Sequence, residues 1–155
     1  SGYKVELLNS KGKVVKSETT TKTSYTFKKL SKVTTYKVRV TAYKTIDKKA
    51  VYSTVSTTIT TSTAPAKVTL SKVTAGSKSA TPAWKTVSGA SGYQVYYKTA
   101  TSGWKLLSTV GSGTRSYSKS GFTAGAKYGF AVRAGKAVQG GYIYGASTQK
   151  TVTMK

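Results

Sequence analysis

The sequence predicts an all-β chain made of two antiparallel β-sandwiches in tandem, on three observations. Thr, Val, Tyr and Ser dominate the segments between turns, and these residues fit a pleated, half-buried surface. The runs alternate apolar and polar with period two, which sends successive side chains to opposite faces of a sheet. The chain also repeats itself, and self-similarity at a fixed offset marks a duplicated unit.

At an offset of 92, Ser24-Tyr25 falls on Ser116-Tyr117, Leu30 on Phe122, Tyr36 on Tyr128, Val40 on Val132, Ala42 on Ala134 and Tyr52 on Tyr144. Upstream, Ser1-Gly2-Tyr3-Lys4-Val5 falls on Ser91-Gly92-Tyr93-Gln94-Val95 at an offset of 90, so the second copy carries two extra residues in an intervening turn. Insertions belong in turns. Thr61-Ser62-Thr63-Ala64-Pro65-Ala66 has linker composition, which places the boundary between residues 1–63 and residues 64–155.

Within each copy the alternation separates an inward from an outward face. Tyr3, Val5 and Leu7 oppose Lys4 and Glu6, Tyr36, Val38 and Val40 oppose Lys37, Arg39 and Thr41, and Tyr128, Phe130 and Val132 oppose Gly129, Ala131 and Arg133. Turn residues such as Asn9-Ser10-Lys11-Gly12, Ser88-Gly89-Ala90-Ser91-Gly92 and Gly111-Ser112-Gly113 divide the runs at intervals suited to short antiparallel strands.

Composition restricts the chemistry. Cysteine and histidine are absent, and Glu6, Glu18 and Asp47 are the only acidic residues. Transition-metal and calcium sites need clustered ligands that this chain cannot assemble. Nucleophilic hydrolysis needs a His or Cys partner, and glycoside hydrolysis needs two carboxylates, yet residues 64–155 contain no carboxylate side chain. The sequence therefore predicts no catalytic residues, no cofactor and no enzyme activity.

The formal charge is +23, with 13 basic and 3 acidic residues in 1–63 and 13 basic and none in 64–155. Such a field attracts polyanions without specificity. Scattered lysines also keep a Thr-rich β-surface soluble and protect its edges, and no block of five like charges occurs. No apolar run is long enough to span a bilayer, and no signal-peptide pattern opens the sequence.

Residues 64–155 resemble a complete fibronectin type III domain of the kind strung along extracellular proteins of Gram-positive bacteria. Trp84 matches the core tryptophan of strand B, Gly92-Tyr93-Gln94-Val95-Tyr96-Tyr97 matches strand C, and Phe122 followed by Tyr128 matches the tyrosine corner that leads into strand F. Leu30 and Tyr36 hold that corner in residues 1–63, where the resemblance covers strand C onward and lacks strands A and B. Strand G is expected near Tyr144 to Met154 and near Tyr52 to Thr61. The resemblance implies an immunoglobulin-like sandwich with strands A, B and E facing C, C′, F and G, and a core containing Trp84, Tyr93, Tyr128, Leu30 and Tyr36.

In the first copy one sheet would shrink to strand E, around Ser24 to Phe27, and the core face would stay open. Either the chain is a fragment whose missing strands lie elsewhere, or another copy supplies them by swapping or strand complementation, giving a homo-oligomer. Glu6, on the outward face, is badly placed as the proton shuttle of an internal isopeptide bond.

Two sets of residues are candidates for contact. On the outward face of the second copy, Tyr96, Lys98 and Arg133, with Trp104 and Tyr142 near the ends, form a prospective glycan or wall-polymer patch, since aromatic rings stack on sugars and cations hold phosphates or carboxylates. Strand propensity alone also explains exposed Tyr. Between F and G, the segments containing Lys44, Lys48 and Lys49 and containing Lys136 are expected as basic contact loops or solvated hairpin turns, and neither carries Arg-Gly-Asp. The implied role is a spacer presenting neighbouring domains of a larger secreted or surface-attached bacterial protein. Binding of an acidic cell-wall polymer, glycan or other polyanion, and self-assembly through the open first domain, are the alternatives.

Overall fold

The computed structural model describes residues 1–155 and contains strands but no helix, so no helix is long and apolar enough to cross a membrane. The strands gather into two compact units, Ser1–Thr63 and Ala64–Lys155.

The first unit is a single antiparallel sheet of β1 (Gly2–Leu8), β2 (Val14–Thr20), β3 (Thr35–Ile46) and β4 (Lys49–Ser62), in the order β2-β1-β3-β4. Its register puts Val5 opposite Val40, Leu7 opposite Val38, and Val38 opposite Ile59, so directly paired residues give the sheet one apolar face. That face is only partly covered. Ile59 is 59% exposed and Tyr3 36%, and an irregular segment carrying Tyr25 and Phe27 lies over Tyr3, Val5, Val38 and Val40.

Two expectations are corrected here. Ser24 to Phe27 forms no strand, because the neighbouring strand B that would supply its hydrogen bonds is absent from this unit. Leu30 is only half-buried for the same reason, whereas Tyr36 is buried against the sheet.

The second unit closes into a sandwich. β5 (Leu70–Ala75), β6 (Ser79–Trp84) and β9 (Lys119–Ser120) form one sheet in the order β5-β6-β9. The other contains β7 (Gly92–Lys98), β8 (Lys105–Gly111), β10 (Lys127–Val138), β11 (Gly141–Tyr144) and β12 (Thr148–Thr153). Here β7 lies between β8 and β10, and both β11 and β12 pair with the far edge of β10. The last strand is interrupted at Gly145, where a Cβ would sit 2.5 Å from the Pro65 carbonyl oxygen. Only glycine lets the two backbones pass so closely.

Between these sheets Val68, Leu70, Trp84, Tyr93, Val95 and Val132 form one apolar cluster. Ala80, Phe122, Tyr128, Phe130 and Met154 form a second. Trp84 packs on Tyr93 with ring centres 5.6 Å apart, while its indole N–H has no hydrogen-bond partner. At the corner before β10 the Thr123 amide donates to the Tyr128 hydroxyl oxygen at 3.2 Å and holds the phenol below its ordinary pKa, and the Phe122 and Tyr128 rings meet at 4.7 Å. Positions that are more open in the first unit are sealed in the second: Tyr93 is 1% exposed against 36% for Tyr3, and Phe130 and Val132 are fully buried where Val38 and Val40 are half-buried.

Candidate functional site

The outward face of the second unit's larger sheet is built by register. Gln94 pairs with Arg133, Tyr96 with Ala131 and Lys98 with Gly129, so these side chains share one side of β7 and β10. Arg133 donates from Nε and Nη2 to the Gln94 amide oxygen at 2.9 and 2.7 Å, and the same oxygen accepts from the Tyr96 hydroxyl at 2.7 Å. The guanidinium carbon lies 4.1 Å from the centre of the Tyr144 ring and 5.2 Å from that of Tyr96, and Tyr144 stacks on Tyr142 at 5.9 Å. The charge is thus held between aromatic faces, the favourable geometry for a guanidinium.

Small residues on β10 make room for this arrangement. A Cβ at Gly135 would come within 2.9 Å of the Tyr144 ring and 3.1 Å of the Tyr142 ring. Beyond β7, Thr99 and Ser102 exchange hydrogen bonds between their amides and hydroxyls at 2.9 and 3.0 Å. That turn leads the chain back to Trp104, whose ring edge lies 3.4 Å from the Gly129 Cβ position and 5.0 Å from the Lys98 ammonium. Tyr96, Trp104, Ala131, Arg133 and Ser147 line a cleft of about 190 Å³. A second, of about 240 Å³, is bordered by Gln94, Thr109, Tyr142 and Tyr144.

The structure therefore brings Tyr96, Lys98, Trp104, Arg133 and Tyr142 onto one face. Sequence reasoning missed Gln94 and Tyr144, which fix the guanidinium. Gln94 stands two residues before Tyr96, so period two alone puts it on the same face.

The basic contact segments are mostly strand. Lys44 and Lys49 pair within the β3–β4 hairpin, and Lys136 pairs with Ile143. Only Lys48 is in a turn, the two-residue Asp47-Lys48 connection in which both residues have positive φ (50° and 63°), as a tight hairpin of the primed type requires. Both segments are thus hairpins, one of the two arrangements expected of them, and their turn signals, Asp-Lys and Gln-Gly, do not reveal how far pairing runs to either side.

On the outward face of the first unit Glu6 receives Arg39 Nε at 2.7 Å and lies 2.9 Å from Lys4 Nζ. Glu6 is outward yet only 4% exposed, because its two cations cover it. The hydrogen bond from Arg39 first, and that from Lys4 second, hold its carboxyl below the ordinary range. On the opposite face a cavity of about 380 Å³ is lined by Tyr3, Val5, Val38, Val40, Tyr25 and Phe27. No group of three or more His, Cys, Asp or Glu side chains gathers anywhere in the molecule.

Facing sheets, a tyrosine corner and a buried tryptophan define the architecture. The chain has the fibronectin type III fold, an immunoglobulin-like sandwich present in tandem with the first copy incomplete. It is similar to a two-domain fibronectin type III segment of chicken tenascin, at 19% identity and a TM-score of 0.55 over 99% of this chain and 85% of that one. It is also similar to the FN1–FN3 domains of chicken CNTN1, at 18% identity and a TM-score of 0.54 over 99% of this chain and 56% of that one. No protein-family model matches the chain, and no curated protein matches it. Domains of this fold are generally non-catalytic and typically sit in larger multidomain proteins.

Proposed function

We propose that the chain is a non-catalytic accessory module of a secreted or surface-attached bacterial protein, holding neighbouring domains away from an anchor. The observation that carries this reading is the tandem fold, whose likeness to a two-domain segment extends over 99% of the chain. The composition supports it, because the chain has neither histidine nor cysteine and its second unit has no carboxylate side chain with which to do acid–base work. An extracellular setting agrees with fibronectin type III neighbours that are mostly extracellular domains. The bacterial origin rests on the resemblance of the tandem to Gram-positive modules.

In this reading residues 1–63 carry strands C to G of a fibronectin type III domain, and its strands A and B come from outside these residues. A second reading, self-assembly by strand complementation, is favoured by the cavity of about 380 Å³ on the partly covered face of the first sheet. Light scattering of the 155-residue chain at low and moderate salt, with limited proteolysis of the same sample, separates the two. The accessory reading expects a monomer in which residues 1–63 are cut first. A protease-resistant oligomer that persists at moderate salt would replace it with assembly.

A further inference from the structure

The outward face of the second unit also has the chemistry of a binding site, which goes beyond the presentation role. We infer that the clefts on either side of Arg133 bind a carboxylated glycan, with a hexuronate in the cleft between Tyr96 and Trp104 and its carboxylate on the Arg133 guanidinium.

The first argument is charge. On the corresponding face of the first unit, Arg39 is neutralised by the Glu6 carboxylate. In the second unit the arginine is held instead by Gln94, a neutral amide, and residues 64–155 offer no side-chain carboxylate to replace it. The amide fixes the orientation of the guanidinium and leaves its charge uncompensated. Two of its five N–H groups go to Gln94, so an edge formed by Nη1 and Nη2 remains for a planar carboxylate to meet in bidentate fashion.

The second argument is shape. The apolar C–H face of a pyranose packs on aromatic rings, and Trp104 (38% exposed) and Tyr142 (49% exposed) are among the most exposed rings of this unit. At about 190 Å³ the cleft is smaller than the ~300–1,000 Å³ of drug-sized pockets, so it takes one sugar ring and leaves the polymer running along the sheet. The neighbouring cleft, bordered by Tyr142 and Tyr144, lies on the other side of the Arg133–Gln94 pair and takes a further ring. Lys98, beside Trp104, adds a second cation at the rim.

The site is preformed. Arg133 is clamped by two rings and two hydrogen bonds before any ligand arrives, so little side-chain entropy is lost on binding.

The test uses the full 155-residue chain, tetragalacturonate as probe and a neutral galactose tetrasaccharide as control, followed by tryptophan fluorescence and by calorimetry. Trp84 is buried and Trp104 exposed, so Trp104 dominates the response. Tetragalacturonate is expected to bind in moderate salt while the neutral sugar does not. Trp104→Ala, followed by calorimetry, and Arg133→Gln should each weaken binding about tenfold or more, whereas Lys136→Gln, which removes the same unit of charge from β10, should not. Tyr142→Ala provides a further variant should Arg133→Gln fail to fold, a point checked by thermal melting. Equal weakening by Arg133→Gln and Lys136→Gln, inorganic polyphosphate binding as tightly as the uronate, or no binding of the uronate at all would each overturn the inference. The mass and proteolysis results that test the presentation role are independent of all three.

Discussion

Tyr3 and Tyr93 stand at the same position of the two repeats, and replacing each with alanine measures how much core each unit possesses. Tyr93 is 1% exposed, packs 5.6 Å from Trp84, and its hydroxyl accepts from the Val87 amide at 2.8 Å. Tyr93→Ala would leave a closed cavity and an amide without an acceptor, and emptying such an aromatic site costs about 3–5 kcal/mol. A unit of this length has a total stability of roughly 5–14 kcal/mol, so the substitution removes a large share of it. At roughly 4–8 °C per kcal/mol the melting point falls by about 12–40 °C. Tyr3 is 36% exposed and lies on an open face, so Tyr3→Ala loses transfer energy but creates no cavity, a cost of about 1–2 kcal/mol. Hydrogen exchange with mass spectrometry reads the opening free energy of each unit separately within the intact chain. The expected result is a large loss of protection across β5 to β12 for Tyr93→Ala and a small one across β1 to β4 for Tyr3→Ala. Equal losses would refute the reasoning and show that the face of β1 is covered in solution.

Tyr128→Phe removes the acceptor of the Thr123 amide and should cost about 1 kcal/mol, seen by calorimetry; an unchanged melting point would mean that the amide has another partner. Glu6 is held ionised below the ordinary carboxylate range by Arg39 and then Lys4. A carboxyl depressed in the folded state contributes stability above its unfolded pKa, and that contribution is lost as pH falls through the folded value. Acidification through and below about pH 4 should therefore weaken the amide protection of β1 to β4 while β5 to β12 keep theirs, since the second unit has no carboxylate side chain to protonate. Equal acid sensitivity of the two units, followed by NMR, would contradict this. Gly145→Ala forces a Cβ against the Pro65 carbonyl oxygen, with backbone on both sides of the contact, and should cost about 1–3 kcal/mol, read as faster exchange in β11 and β12.

The sandwich was legible because its determinants are local and periodic. Tyr93 and Val95 alternate with Gln94 and Tyr96, and Trp84 ends a short run that matches strand B, so strand identity and face could be assigned before any contact was known. Arg133 and Tyr96 followed from the same alternation. Tyr144 did not, because its place depends on the pairing of Gly135 with Tyr144, a register that is set by the turn at Gln139-Gly140 and invisible in strand pattern alone. Trp104 depended on the path of a turn closed by two side-chain hydrogen bonds.

The segment at Ser24 to Phe27 shows what the pattern cannot carry. Its counterpart in the second unit is Ser116-Tyr117, where Ser116 bridges to Ala83, the Tyr117 amide donates to the Pro82 carbonyl at 3.1 Å, and Lys119 and Ser120 pair with Ala80 and Ser79. Every one of those partners belongs to β6. The first unit has no strand equivalent to β6, so a similar sequence remains irregular and turns its rings toward the sheet instead, Tyr25 and Phe27 meeting edge to face at 4.9 Å. Strand propensity describes how well a side chain fits beside a neighbouring strand, and without the neighbour the backbone groups gain nothing by extending. The two copies thus form an internal control in which similar residues bond to a neighbouring strand or cover the sheet according to whether β6 has a counterpart. Supplying that counterpart as a separate peptide of residues 79–84 is too little, because β6 is itself held by pairing with β5. A segment able to order Ser24 to Phe27 must bring a paired ribbon whose apolar side fills the cavity lined by Val5, Val38 and Val40.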